Sequence, residues 1–108
     1  MNVHLLVLCT CPDDATARRL AASAIDARLA ACVNIVPGLT SVFRWQGEIE
    51  HDDEVLLLLK SRRDRYAQLE ALLVEAHPYE LPEVVAVSLE QGLAGYLAWL
   101  DATLDGEE

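Results

Sequence analysis

The longest strand-like pattern in the chain lies between Cys32 and Lys60, where two β-rich arms flank a Gln46-Gly47 dipeptide. The first arm is Cys32-Val33-Asn34-Ile35-Val36, a Pro37-Gly38 interruption, then Leu39 to Trp45. The second begins at Glu48 and ends in Val55-Leu56-Leu57-Leu58-Leu59-Lys60. Two turn residues with glycine second suit a primed hairpin turn, which sets Trp45 opposite Glu48 and Phe43 opposite Glu50. At about 3.3 Å per residue each arm reaches roughly 40 Å, whereas a chain of this size has a radius of gyration of about 13 Å. One domain cannot cover such a hairpin. Pro37 cannot donate to a ladder and Gly38 relaxes the backbone, so the pair marks a bulge or bend. Glu48, Glu50, Asp52, Asp53 and Glu54 keep the start of the second arm soluble. Val55 to Leu59 is apolar on both faces, the pattern of a central strand. Period 2 places Leu39, Phe43 and Trp45 on one face, an apolar patch for which another subunit is the simplest cover.

The flanking segments read as shorter elements. Val3 to Cys9 is a nearly continuous apolar run, a buried central strand. Asp13 and Asp14 then cap a helix whose apolar positions Ala17, Leu20, Ala21, Ala24 and Ile25 recur at helical spacing up to about Ala30. Ser61 or Asp64 caps a second helix with the stripe Tyr66, Leu69, Leu72, Leu73 and Ala76, and Pro78 stops it. Val84 to Val87 is a β-branched strand. Leu93, Tyr96, Leu97, Leu100 and Leu104 form a closing amphipathic helix before the acidic tail Asp105 to Glu108. The order is an α+β, ferredoxin-like βαββαβ pattern with an extra C-terminal helix, both main helices lying on one face of an antiparallel sheet.

Composition narrows the function. With 108 residues, 53% of them hydrophobic, the expectation is one domain over 1–108 with a core that needs no staples. The net charge of −10 argues against nucleic acid and against an anionic membrane surface. Three cysteines at 9, 11 and 32, with no CxxC, fit free thiols in a reducing cytoplasm better than a disulfide framework. The opening run lacks a basic n-region and is too short for a signal peptide, and no stretch reaches membrane-spanning length. No phosphate-cradling glycine loop, G-x-S-x-G or suitably placed carboxylate pair is present, so neither an enzyme nor an organic cofactor is expected.

In the ferredoxin-like order the end of the first strand lies beside the start of the last, so Cys9 is expected to approach Glu83, with His77 at the same end. Pro78 and Pro82 stiffen the connection His77-Pro78-Tyr79-Glu80-Leu81-Pro82-Glu83. A thiolate, an imidazole and a carboxylate at one spot form a ligand set for Cu or Zn rather than Mg or Ca. The plainer reading of the same residues is a histidine favourably ending a helix, a packed tyrosine and a proline-shaped turn. Cys9-Thr10-Cys11 puts two thiols on one face of a strand, or Cys11 near a helix N-terminus, and inert buried thiols are again the plainer reading. Lys60, Arg62, Arg63 and Arg65 form the one basic cluster, either an anion subsite or a solvated helix start. Trp45 and Trp99 read as interface and core aromatics.

Several motifs together resemble the CutA family of divalent-cation tolerance proteins. They are Val7-Leu8-Cys9-Thr10 leading into Pro12-Asp13, the run Leu29-Ala30-Ala31-Cys32-Val33-Asn34-Ile35-Val36-Pro37-Gly38, Ser41 with Phe43-Arg44-Trp45-Gln46-Gly47, the His77 to Glu83 motif, and Tyr96-Leu97-Ala98-Trp99-Leu100. The resemblance implies a compact homotrimer related in architecture to the PII signalling proteins and linked to copper and other divalent ions. Cys9 and His77 match positions associated with copper binding, and Glu83 ends the same motif. Phe43 stands where a tyrosine is common in the family. The resulting expectation is a trimer that binds divalent metal ions, copper especially, through Cys9, His77 and Glu83. The alternative is a PII-like sensor of a small anionic ligand in intersubunit clefts, with Trp45, Lys60 and Tyr79 near the cleft and metal affinity incidental.

Overall fold

In the computed structural model, which describes residues 3–107, strands β1 (His4–Cys11), β2 (Cys32–Trp45), β3 (Glu48–Arg62) and β4 (Val85–Ser88) form one sheet in the order β2-β3-β1-β4. Every pairing is antiparallel. Helices α1 (Asp14–Asp26), α2 (Tyr66–Ala76) and α3 (Ala94–Leu104) complete the α+β ferredoxin-like arrangement. The register divides the sheet into two unlike faces. Leu5, Val7, Cys9 and Cys11 of β1 and Val55, Leu57 and Leu59 of β3 pack with Ala17, Leu20 and Ala24 of α1 and Leu69 and Leu73 of α2 in one core. The opposite face carries Leu6, Leu8, Leu56, Leu58, Val36, Val85 and Val87 by alternation. Only α3 lies over one end of it, with Leu100 and Leu104 buried against Ala31.

The hairpin follows the sequence closely. Gln46 (φ 50) and Gly47 (φ 86) are both left-handed, as a type I′ turn requires, and Trp45 pairs with Glu48 and Phe43 with Glu50. Between Val36 and Leu39 the ladder shifts by one residue, with Gly38 at φ 80. The pairs Val36↔Leu56 and Leu39↔Glu54 show β2 advancing three residues while β3 advances two. Beyond the helices the hairpin projects alone, and the long axis of the subunit is 45 Å.

Element boundaries differ from the sequence expectation in four places, each with a local cause. β1 continues through Thr10 and Cys11 because Val55 and Leu56 extend the ladder to pair with them. α1 stops at Asp26, not near Ala30. Arg28 takes φ 56, its N–H bonds Ile25 O and the Leu29 N–H bonds Ala24 O, a Schellman end built without glycine. The Arg28 guanidinium, at 2.6 Å from the Thr103 carbonyl, ties that end to α3. Neither Ser61 nor Asp64 caps α2: buried Ser61 stays in β3 and donates to Leu29 O at 2.6 Å, while Asp64 binds Arg62, and a 3-10 turn over Arg63–Arg65 leads into the helix. β4 begins at Val85 rather than Val84. Trp99 is half-exposed against Tyr96, not a core residue, and Glu108 of the acidic tail lies outside the described residues.

Arg62, whose side chain is 13% exposed, holds α3 to the sheet by donating to Asp64 at 2.7 Å, Asp105 at 2.7 Å and Asp101 at 3.2 Å. Asp101 also meets His4 at 2.9 Å, and Arg65 reaches Asp105 at 3.5 Å. Arg62 and Arg65 are therefore spent on intrachain acids, while Arg63 reaches Ser88 Oγ at 3.4 Å. Hydrogen bonds from Arg62 hold the Asp64 and Asp105 carboxyls below their ordinary range. Lowered carboxyl pKa values stabilise the fold above the unfolded value of about 3.9, and that contribution is lost as pH falls through the lowered values. Hydrogen exchange of the α3 amides, taken relative to the intrinsic rate at each pH, should therefore accelerate below about pH 4. In Arg62→Ala it should be faster by about three- to tenfold at neutral pH and less dependent on acid, the modest size reflecting carboxylates open to solvent.

Candidate metal site

Cys9 and Cys11 stand two residues apart on β1, so both thiols point toward the helices, and both are fully buried. His77 follows the last residue of α2 in an extended conformation (φ −78, ψ 140). This is the conformation favoured before proline, so Pro78 both ends the helix and swings the imidazole toward β1. Donor atoms of Cys9, Cys11 and His77 all lie within 4.8 Å of one another.

The imidazole is held on both sides by backbone. His77 Nε2 lies 2.8 Å from the Thr10 carbonyl, and Nδ1 lies 3.1 Å from the Tyr79 amide nitrogen. A carbonyl only accepts and an amide N–H only donates, which assigns a neutral ring with its proton on Nε2. The Tyr79 ring packs against the imidazole at 4.7 Å, and its hydroxyl donates to Glu54 Oε2 at 2.8 Å. Glu54 is only 6% exposed. Burial and that bond to Glu54 push the Tyr79 phenol well above its ordinary range.

The two thiols are unequal. Cys9 keeps its proton, raised first by its hydrogen bond to Cys11 and then by burial, with the Glu83 and Glu54 charges adding to the effect. Cys11 is shifted down by accepting that bond and is the first of the pair to ionise. The donor set suits a tetrahedral or trigonal ion of borderline or soft character. Metal–sulfur bonds of about 2.3 Å put tetrahedral ligands roughly 3.8 Å apart, so the cluster needs to contract by about 1 Å. His77 joins it on giving up a backbone bond.

Among the residues expected at the site, Cys9 and His77 are brought together, and Cys11 joins them. Glu83 is not in that group. The last β1–β4 pair is Leu8↔Val85, so one further alternation sets Glu83 level with Thr10, on the face away from the thiols. Glu83 and Thr10 accordingly line a cavity of about 510 Å³ with Ser41, Glu54, Trp45 and Tyr79. Trp45 and Tyr79 thus line one cavity within the subunit. Lys60 lies six residues from Glu54 along β3, roughly 20 Å away. Its ammonium donates to Asn34 Oδ1 at 2.6 Å and lies over the Tyr96 ring at 5.9 Å.

The family model described as CutA1 divalent ion tolerance protein matches residues 5–103. The chain belongs to the CutA family. It is 47% identical over 95 residues to the divalent-cation tolerance protein CutA of Thermus thermophilus, covering 88% of this chain and 92% of that one. The crystal structure of CutA from Xylella fastidiosa is 39% identical with a TM-score of 0.92, covering 94% of this chain and 98% of its own. CutA from Archaeoglobus fulgidus, described as a periplasmic divalent cation tolerance protein, is 35% identical with a TM-score of 0.91, covering 94% and 98%. Among the described residues of this CutA chain no helix is long and apolar enough to cross a membrane. The motif residues shared with the CutA resemblance pointed to Cys9 and His77. Cys11 is not among the ligands expected from sequence: the i, i+2 spacing offers two thiols on one strand face, but inert, buried thiols are the plainer reading of the pair, and the apolar pattern ends the strand at Cys9.

Proposed function

We propose that this CutA protein is a cytoplasmic homotrimer that binds thiophilic metal ions, copper above all and zinc next, at Cys9, Cys11 and His77, and serves divalent-cation tolerance by binding rather than catalysis. The observation that carries the reading is the convergence of two thiols and one imidazole within 4.8 Å. Cys9 and Cys11 offer soft donors that discriminate against Mg and Ca, and the acidic surface raises the local concentration of cations without selecting among them. Three-fold closure rests on the family resemblance, supported by the apolar sheet face and the projecting hairpin. The carboxylates Glu50, Asp52, Glu54 and Glu83 near Trp45 and Tyr79 favour a cation over a small anion at that surface within one subunit.

The test is a competition titration of reduced protein with Cu⁺ and Zn²⁺ at roughly 0.15 M salt, where weak surface binding is screened. One soft ion per chain, retained against a large excess of Mg²⁺ and Ca²⁺, is expected. A titration without a saturable site, or one in which Mg²⁺ competes on equal terms, overturns the reading.

A further inference from the structure

We propose that Tyr79 is a switch that senses whether the Cys9–Cys11–His77 site is filled, being released from His77 and then from Glu54 when the imidazole becomes a ligand; this rests on the metal reading above. His77 presents its lone pair at Nδ1 to the Tyr79 amide and its Nε2 proton to the Thr10 carbonyl. Both routes to a ligating imidazole cost the same contact. If His77 ligates through Nδ1, that lone pair is no longer available to the Tyr79 N–H. If it ligates through Nε2, the neutral ring carries its proton on Nδ1, where it faces the Tyr79 N–H donor against donor. In either case two thiol protons pass from Cys9 and Cys11 to solvent as one divalent ion enters, and the imidazole proton is kept or moved within the ring.

Tyr79 is tied at three points: its amide to Nδ1, its ring against the imidazole, and its hydroxyl to Glu54. Loss of the first slackens the others, because the phenol ring that packs on His77 is the same ring that carries the hydroxyl to Glu54. The hydroxyl end matters most. Glu54 is nearly buried, so a carboxylate that loses its donor there must be reached by water or by a new partner. Tyr79 also lines a cavity of about 390 Å³ with Phe43, Trp45, Glu50, Asp52 and Leu81, on the projecting hairpin. The connection from His77 to Glu83 wraps round the end of β1, so an event among the buried thiols is displayed on the opposite face of the sheet.

Zn²⁺ alone is the probe. In wild-type protein the Tyr79 amide should exchange with solvent about tenfold faster when Zn²⁺ is saturating, read by NMR at that single amide. Reciprocity gives a second readout. Tyr79→Phe keeps the amide and the ring but has no Glu54 bond to break, so it should bind Zn²⁺ about three- to tenfold more tightly than wild type. A tyrosine that merely supports the site would leave affinity unchanged or weaken it. Saturable Zn²⁺ binding with an undisturbed Tyr79 amide and unchanged Tyr79→Phe affinity overturns the switch and leaves the metal site standing. Absence of saturable Zn²⁺ binding overturns both. The amide measurement needs no variant, so it decides the question even where Tyr79→Phe folds poorly.

Discussion

Val85→Asp is expected to run as a folded monomer at concentrations where the wild type is assembled. Val85 lies at the sheet edge, 50% exposed, in one row with Leu8 and Leu58, and Val87 beside it is 52% exposed. Val36, Leu6 and Leu56 continue the apolar surface, and α3 covers only the end near Ala31. Soluble monomers rarely leave so continuous an apolar face open. A second copy that covers it would bury the new carboxylate without a partner, at a cost of about 3–5 kcal/mol per site, repeated at every symmetry-related contact. In the isolated subunit the same residue stays in water on a short edge strand, so the fold itself should survive. Trp45→Glu probes the hairpin separately, because it sets an added carboxylate opposite Glu48. Sedimentation or light scattering decides: a wild type that is monomeric at micromolar concentration, or a Val85→Asp variant that remains fully assembled, sinks the homotrimer.

The second large effect falls on affinity. The double variant Cys9→Ala, Cys11→Ala should bind Cu⁺ and Zn²⁺ at least about a hundredfold more weakly than wild type, since even outer-shell changes around a metal cost about 10- to 100-fold and these remove two direct donors. His77→Ala should lose less, because the two thiolates remain. Glu83→Gln is the informative control. Placed on the other face, it acts on Cys9 only through its charge, so its effect should stay within about fivefold. Both cysteines are fully buried, and replacing them with alanine leaves small cavities. Thermal melts of the metal-free variants must therefore accompany the titrations. Chelator-competition curves that superimpose for wild type and the double variant would remove Cys9 and Cys11 from the site.

Much of the fold was legible because its signals are local and redundant. Gln46-Gly47 has the glycine that a primed turn needs, Pro37-Gly38 marks the bulge, and Pro78 ends α2 where the pattern says it should. What escaped depended on long-range partners. Nothing near Arg28 announces a left-handed residue without glycine, and the guanidinium that braces this turn reaches across to the Thr103 carbonyl on α3. Ser61 looks like a helix cap until Leu29 claims its hydroxyl. Charge counting left Lys60, Arg62, Arg63 and Arg65 as an anion subsite or a solvated helix start, whereas acids more than thirty positions away, Asp101 and Asp105, occupy Arg62. At the candidate metal site, topology brought Cys9 to His77, as the donor distances within 4.8 Å show. Strand parity, which needs a register rather than an order of elements, decided which neighbours shared their side of the sheet and separated Glu83 from Cys11.

The extra residue between Val36 and Leu39 stores information in chain length. Before it, even-numbered residues of β2 face away from α1 and α2; after it, odd-numbered ones do, which is how Val36 and then Leu39, Phe43 and Trp45 come to lie on a common side. An in-frame loss of one codon at Pro37 or Gly38 would leave composition and charge almost untouched and would even regularise the ladder. Leu39 would then stand two residues after Val36 and keep Glu54 as its partner, so the facing of Leu39 to Trp45 would survive and only the local bend would be lost. For this gene, one-codon deletions should therefore be tolerated at Pro37 or Gly38 far better than between Leu39 and Trp45, where no extra residue absorbs the loss and the side chains on one side of the gap would change face.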